Sequence, residues 1–455
     1  MKIINYILSL KPEILFSVIA LFFGTFSAFA VQQLSVNDEG VHLLRSYTIS
    51  TGNITSDTCS YPQEIIDKVK ESYQKNYSFN LSEKNSHSVN AFDCGTADSY
   101  YPLMHLPQSI GISISKVIYD SPAFMVLLGR LANLLFFVAS MYLIIRFVPI
   151  GKWVFFVLGL LPITIHAASS LSYDTFNTVV LFSLIAIVLT FFGQKKALSK
   201  KQLILLVLFS LLASMAKSSN TLVLLLMFAL PLRLFKYQRA KFSPIANKLM
   251  IIFGILILSL LSIVIWQKVS GSSITEVSME NHLSNNPLYI VVILYNTYIN
   301  PFFGYTDIFV RGVVGEFSSF QYHLPTYLVI LSFGLITFSL LLKNDFEQKY
   351  LKFKGGTLAA VALSAFVLSF LLITYVMYTI WATQPIRQGP HAIYADGVQG
   401  RYFTALLALF IPIGIWLRRY ITVETSSSKV STAIILLGSL FLLFFYSAES
   451  LMQIY

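Results

Sequence analysis

Residues 12–45 read PEILFSVIALFFGTFSAFAVQQLSVNDEGVHLLR. From Ile14 to Ala30 there is no charged residue, a run of about 17 positions, close to the ~20 that a helix needs to cross a bilayer. Two adjacent carboxylates, Asp38 and Glu39, follow after a short segment, and His42 and Arg45 come next. An apolar crossing that delivers ionisable side chains straight to a membrane surface decides the fold class and shows where chemistry is to be sought. Lys2, the apolar run and Ala28-Phe29-Ala30 also resemble a secretory leader with its small-residue cleavage site. The run is long for a leader core, so retention as an anchor is expected.

The rest of the chain repeats that pattern. Of 455 residues, 56% are hydrophobic and 12% charged, against about 25% charged in an average soluble domain. A soluble globular protein is excluded, and an all-α integral membrane protein is expected. Eleven crossings are read, near 12–34, 121–146, 153–172, 174–194, 202–217, 220–235, 248–269, 325–342, 357–381, 401–417 and 429–446. With the N-terminus in the cytoplasm, the inner loops collect twenty of the 32 Lys and Arg but only four of the 21 acids. That asymmetry selects the orientation. The formal charge of +11 is thus a topology signal, and its scatter between apolar runs argues against a nucleic-acid face.

Five regions follow: an anchor over 1–34, an extracytoplasmic loop with short helices over 35–120, crossings two to seven over 121–269, a second extracytoplasmic region over 270–324, and crossings eight to eleven over 325–455. The first loop holds ten acids, six basic residues and both cysteines, Cys59 and Cys94, which are expected to pair in an oxidising exterior. Within it, Ile65 to Tyr73 reads as a short helix, and Tyr100 to Tyr119, broken by Pro102 and Pro107, as an interfacial one. Pro287 to Phe303 reads as an outer-leaflet helix, because a crossing there would invert every later loop.

Ionisable side chains in a membrane cost about 2.5–3.5 kcal/mol each at a span centre, so each calls for a partner or a task. If a helix starts after the first crossing, Asp38 is its N-cap, and Glu39, His42 and Arg45 share a face. A cap needs one acid, whereas two stand here beside a histidine and an arginine, which points to chemistry. Tyr394–Phe403, YADGVQGRYF, enters the tenth crossing from outside. Gly397 and Gly400 permit close backbone approach, and Arg401 begins a helix, where its charge opposes the macrodipole. A phosphate or carboxylate held by the guanidinium would offset that, and snorkelling to lipid or pairing with Asp396 is the plainer alternative. Gln399 and Tyr402, which flank Arg401 closely, are grouped with it as binding candidates. Lys217 sits at an outer turn, suited to an anionic head group, and Arg130, inside the second crossing, is expected to pair with Asp174. Asp307, Arg311 and Glu316 read as a solvated loop. His105, His166 and His391 stand alone, without metallohydrolase spacing, and no zinc site is read. No cofactor is required; a divalent ion on Asp38, Glu39 and Asp307 is conceivable, but no ligand pattern demands it. A Walker loop, a G-x-G-x-x-G fingerprint and a G-x-S-x-G elbow are absent, which removes support for cytoplasmic nucleotide chemistry.

An acidic pair beside a lipid surface, with cations from distant crossings on the same face, fits an anionic lipid substrate such as a polyprenyl-phosphate-linked sugar. Asp38-Glu39 with His42, Tyr101-Pro102, Leu106-Pro107-Gln108, Gly129-Arg130, Ser172-Tyr173-Asp174, Lys217 and above all Val398-Gln399-Gly400-Arg401-Tyr402-Phe403 resemble a bacterial membrane family, the domain of unknown function family 2142. The resemblance covers about residues 35–412. That family is in turn similar to the GT-C glycosyltransferases, which include protein mannosyltransferases and the aminoarabinose transferase of lipid A. The resemblance implies that Asp38 is the catalytic base and Glu39 its acceptor-orienting or structural neighbour. It also implies a multi-pass protein of the bacterial inner membrane, with a lipid-linked sugar donor and an envelope glycan or lipid acceptor as partners. Lys217 departs from the family pattern, standing in Lys-Ser-Ser-Asn rather than a Lys-Pro-like context. Two other readings remain: a flippase or polymerase of lipid-linked glycans, and a structural subunit of an envelope complex.

Overall fold

The computed structural model describes residues 6–55, 59–74, 80, 82–86, 88–91, 100–237, 242–270, 282–303, 305–317, 322–344, 347, 350, 355–384 and 387–452. The first apolar run forms α1, Pro12–Ala30, with proline in the first turn, where a missing N–H costs nothing. The carbonyls at its far end have no helical donor, and Arg130 supplies one: it donates to Ala28 (3.1 Å), Val31 (2.7 Å) and Gln32 (3.0 Å). The chain then passes through two left-handed residues, Leu34 and Asp38, into α2, Glu39–Ser50.

The first loop is built on a small core of its own. β1, Cys59–Pro62, pairs antiparallel with β2, Ser88–Ala91, and α3, Gln63–Tyr73, lies between them in the chain. A 3-10 turn, Pro102–His105, leads into α4, Leu106–Ile118, so both short helices expected here are present. Leu43, Tyr61, Ile65 and Ile112 pack against Met125 and Leu171 of the helical bundle, which fixes the loop to the bundle as a cap. The expected Cys59–Cys94 bridge falls on Cys94, which lies outside the described residues.

α5, Pro122–Phe147, packs along α1 and α4. A Cβ on Gly111 would lie 2.2 Å from the Leu128 carbonyl oxygen, so glycine is what lets α4 touch α5. The stretch read as one crossing at 153–172 is two short helices, α6 (Lys152–Gly159) and α7 (Pro162–Ala168). Pro162 breaks the ladder because it has no N–H to donate. α8, Asp174–Gly193, is the most enclosed of the long helices. α9, Lys200–Ala216, opens with a reciprocal Ser199–Gln202 capping box. The stretch read at 220–235 is instead a 3-10 segment, Ser218–Ala229. α10, Pro244–Val269, exposes Ile257, Leu261 and Val264, as a lipid-facing helix does.

The second outer region contains α11, Ile290–Tyr298, and α12, Tyr305–Val314, followed by the pair β3, Glu316–Phe317, and β4, Tyr322–His323. α13, Thr326–Leu341, and α14, Gly355–Val376, come next; a π turn, Met377–Ala382, extends α14. α15, Arg401–Thr404, and α16, Phe410–Leu417, are joined by a 3-10 turn, Ala405–Leu409, upstream of Pro412, which cannot donate to Ala408. α17, Ser428–Met452, closes the bundle against α1.

The described fold is mostly helical, with two two-stranded pairs. Among the described residues six helices are long and apolar enough to cross a membrane: α1, α5, α8, α10, α14 with its π turn, and α17. Shorter apolar helices occupy 218–229, 287–298, 326–341 and 401–417. The end where α1 stops and α8 starts carries Asp38 and Asp174. The other end is closed by Glu347, which pairs with Arg418 and accepts the Gly151 N–H at 2.8 Å.

Candidate active site

Asp38 is left-handed, with φ of 63°, and its carboxylate makes no capping hydrogen bond, so it does not play the expected N-cap role. The side chain turns instead to Arg401, which donates from Nη2 to Oδ2 at 2.6 Å. Nη1 of the same guanidinium stands 3.4 Å from Asp174 Oδ2, and Nε donates to Gln399 Oε1 at 2.6 Å. The first residues of α8 and α15 and the residue ahead of α2 therefore meet at one cation. Arg401 answers its unfavourable place at a helix start by lying between two carboxylates rather than by reaching Asp396, which faces Arg387 at 3.8 Å. Asp38 is the open side of the bridge, 52% exposed, while Arg401 and Asp174 are 13% and 12% exposed. Partial burial pushes the Asp38 carboxyl up, but Arg401 and His42 outweigh it and hold the group below its usual range.

Glycine packing delivers Arg401 to this spot. A Cβ on Gly400 would fall 2.2 Å from the Phe309 carbonyl oxygen and 2.4 Å from the Val313 amide, so the two backbones touch. Thr404 Oγ1 donates to the Val313 carbonyl at 2.7 Å and locks the crossing. Gly397 supplies the turn at φ of 78°. The same crossing brings Glu316, two residues beyond α12, into a cleft of about 30 Å³ that Asn37, His166, Ser172, Asp174 and Arg401 also line. Glu316 is 7% exposed, which corrects the reading of Asp307, Arg311 and Glu316 as one solvated loop. Only Asp307, 69% exposed, behaves that way; Arg311, 16% exposed, pairs with it at 2.7 Å along α12 and donates to the Leu324 carbonyl at 2.6 Å.

Glu39 has a different station. Its carboxylate accepts from Arg130 Nε (2.8 Å) and Nη2 (2.7 Å), Leu34 N (2.9 Å) and Leu171 N (3.1 Å), and both charged side chains are 0% exposed. The expected Arg130–Asp174 pair is therefore replaced by Arg130–Glu39. Arg130 faces the end of α1 and the start of α2, whereas Asp174 faces Arg401. A fully buried pair is held only when each oxygen and N–H has a partner, and here the loop backbone supplies them.

The wall of the site is aromatic. His42 Nδ1 and His105 Nε2 lie 3.0 Å apart, so His105 is not isolated; the His42 ring stands 5.5 Å from Tyr100 and 5.3 Å from Tyr173. Burial lowers the pKa of His42 and takes that of His105 well below its ordinary value. Arg45 donates to the Tyr100 carbonyl from Nε (3.1 Å) and Nη2 (2.8 Å), holding the entry to α4. Lys217 Nζ lies 3.7 Å from the centre of the Tyr402 ring, which Arg401 also faces at 5.5 Å. The Lys217 ammonium is buried and has no hydrogen-bond partner among the described residues. The expected binding residues thus divide: Asp38, Gln399 and Asp174 contact Arg401, and Lys217 shares the Tyr402 ring with it, while Glu39, Arg130 and Arg45 brace the backbone beneath. Glu316 and His166 were not singled out as site residues, since a lone acid or histidine in an outer or apolar segment has no spacing signature.

A family model described as Predicted membrane protein (DUF2142) matches residues 21–410. No curated protein matches the chain. Among solved structures the chain is similar to the crystal structure of the Archaeoglobus fulgidus oligosaccharyltransferase in the apo form, at 12% identity and a TM-score of 0.37, covering 96% of this chain and 56% of that one. The chain thus spans little more than half the length of that structure.

Proposed function

The chain belongs to the DUF2142 family of membrane proteins, and from that premise we propose that it is a glycosyltransferase of GT-C type. It moves a sugar from a polyprenyl-phosphate-linked donor to a cell-envelope glycan or lipid acceptor. The observation that supports this reading most is the bridge Asp38–Arg401–Asp174 at the end of the apolar bundle. Asp38 and Asp174 occupy two edges of the Arg401 guanidinium, at 2.6 and 3.4 Å, so a donor phosphate has to part the bridge to reach it. A donor phosphate replaces Asp38 on the guanidinium, whose two N–H edges match phosphate as well as carboxylate. Asp38, relieved of the cation that keeps its pKa low, becomes a better base at the moment the donor is bound.

The acceptor oxygen attacks the anomeric carbon, the bond to the phosphate oxygen breaks, and the acceptor proton passes to Asp38. Arg401 and Lys217 meet the charge that builds on the departing phosphate. Gln399 keeps the guanidinium oriented through its Nε, and Tyr402 is the ring on which both cations rest. His42 and Arg45 hold the wall, and Glu39 with Arg130 fixes the backbone that presents Asp38. The site lies on the extracytoplasmic face of a bacterial inner membrane, with the N-terminus inside and eleven crossings, five of them short or broken apolar segments. The concentration of Lys and Arg in the loops of the opposite end supports this orientation.

Mass spectrometry of envelope glycans tests the reading in a deletion strain carrying no copy, the wild-type gene or Asp38→Asn. A sugar missing without the gene and with Asp38→Asn, and restored by wild type, is expected. An unchanged profile in all three strains would end the transferase reading.

A further inference from the structure

The base in the proposed reaction has a position, but the departing phosphate has so far been given only cations. Glu316 is a buried carboxyl that nothing above employs. It follows α12 directly, and the Gly312–Gly400 contact sets it beside the start of α15: a Cβ on Gly312 would lie 2.9 Å from the Gly400 amide and 3.0 Å from Glu316 Oε2. The geometry therefore ties Glu316 to the residue that precedes Arg401, and Glu316 and Arg401 line the same cleft. A carboxylate ionised in such a place would seek hydrogen-bond donors, as Glu39 does with four. Among the described residues no hydrogen bond reaches the Glu316 carboxyl.

The charged and titratable groups facing it are Asp307 and Arg311 on α12, His323 across the strand pair, and Arg401, Asp174 and His166 around the cleft. Burial and then Asp307 push the carboxyl up to about 7, against the opposing pull of Arg311 and Arg401. Asp38 is moved the other way. Both carboxyls have Arg401 as a charged neighbour, and two such groups whose surroundings drive them apart divide into a proton acceptor and a proton donor.

We propose that Glu316 is the acid of this site, giving its proton to the departing phosphate while Asp38 takes the proton of the acceptor hydroxyl. The inference rests on the transferase reading. As the bond from anomeric carbon to phosphate oxygen breaks, the electron pair stays on that oxygen and the Glu316 proton moves to the phosphate group. The new glycosidic bond forms to the acceptor oxygen, whose proton goes to Asp38. One proton has entered and one has left, and the two carboxyls have exchanged protonation states. The second ionisation of a phosphate monoester lies at about 6, so the transfer from a carboxyl near 7 is nearly balanced.

Two measurements test this. In the deletion strain, Glu316→Gln is compared with Glu316→Asp, Asp38→Asn and wild type by glycan mass spectrometry at medium pH 6 and 8. Loss of an acid of this kind costs about 10²-fold or more. Product is expected to fall by that factor in Glu316→Gln and to be partly kept in Glu316→Asp, and wild type should yield less at pH 8 than at pH 6. Loss in Asp38→Asn with wild-type product in Glu316→Gln overturns the acid and leaves the transferase standing; wild-type product in both overturns both. The second measurement is an infrared pH titration of the purified wild-type and Glu316→Gln proteins in nanodiscs, which needs no substrate. A protonated-carboxyl band that disappears as pH rises through about 7, and is missing from Glu316→Gln, is expected. Its absence at pH 6 in wild type would overturn the proposal.

Discussion

Asp38 and Glu39 are neighbours in the chain with opposite lives in the fold. Asp38 is half exposed and spends its charge on a single guanidinium; Glu39 is enclosed and saturated by four donors. The sequence signals that two acids after an apolar crossing have work to do, and it signals that Arg401 needs an anion. It does not reveal which anion, because the face of a helix that meets another depends on packing hundreds of residues away. Spacing alone therefore points Arg130 to Asp174 and groups Glu316 with solvated charges, and packing decides otherwise in both cases. The buried pair sets a clear test. Arg130→Met leaves the Glu39 carboxylate buried without its partner and takes donors from three carbonyls at the end of α1. A cost of about 3–5 kcal/mol is expected, read as collapse of the monodisperse size-exclusion peak in detergent. A variant that stays monodisperse with an unchanged melting temperature would show that the pair does not hold the backbone under Asp38.

Among elements, the crossing of α12 with the start of α15 matters most for chemistry, since it places both Arg401 and Glu316. Gly400 meets backbone atoms that cannot swing away. Gly400→Ala is expected to lose about 1–3 kcal/mol and to abolish sugar transfer. Gly254→Ala, at a place on α10 with nothing within 4 Å of a new Cβ, should be at least as stable as wild type and fully active. Equal melting temperatures and equal glycan yield in the two variants would contradict the role given to the crossing. Apolar length made the six long helices legible in the sequence, and Pro102 and Pro107 marked the break where the 3-10 turn gives way to α4. Pro162 and Pro412 mark where apolar runs are not single α-helices; hydropathy alone passes over them because proline is tolerated in average composition and fails only in the hydrogen-bond ladder.

At the scale of the whole molecule the two ends differ in kind. One end is closed by the Glu347–Arg418 clamp, and the loops assigned to it hold most of the Lys and Arg. The other end brings the starts of α2, α8 and α15 to a single guanidinium under a folded cap. The central claim is that this guanidinium is an exchange point, held by Asp38 until a phosphate takes its place. Binding of polyprenyl phosphate to the purified protein in nanodiscs, compared among wild type, Asp38→Asn and Arg401→Gln, tests that claim most directly. Removing the competing carboxylate should tighten binding in Asp38→Asn, and removing the guanidinium should weaken it by about tenfold or more, the loss of one charge-assisted pair. Equal affinity in all three proteins would contradict the account.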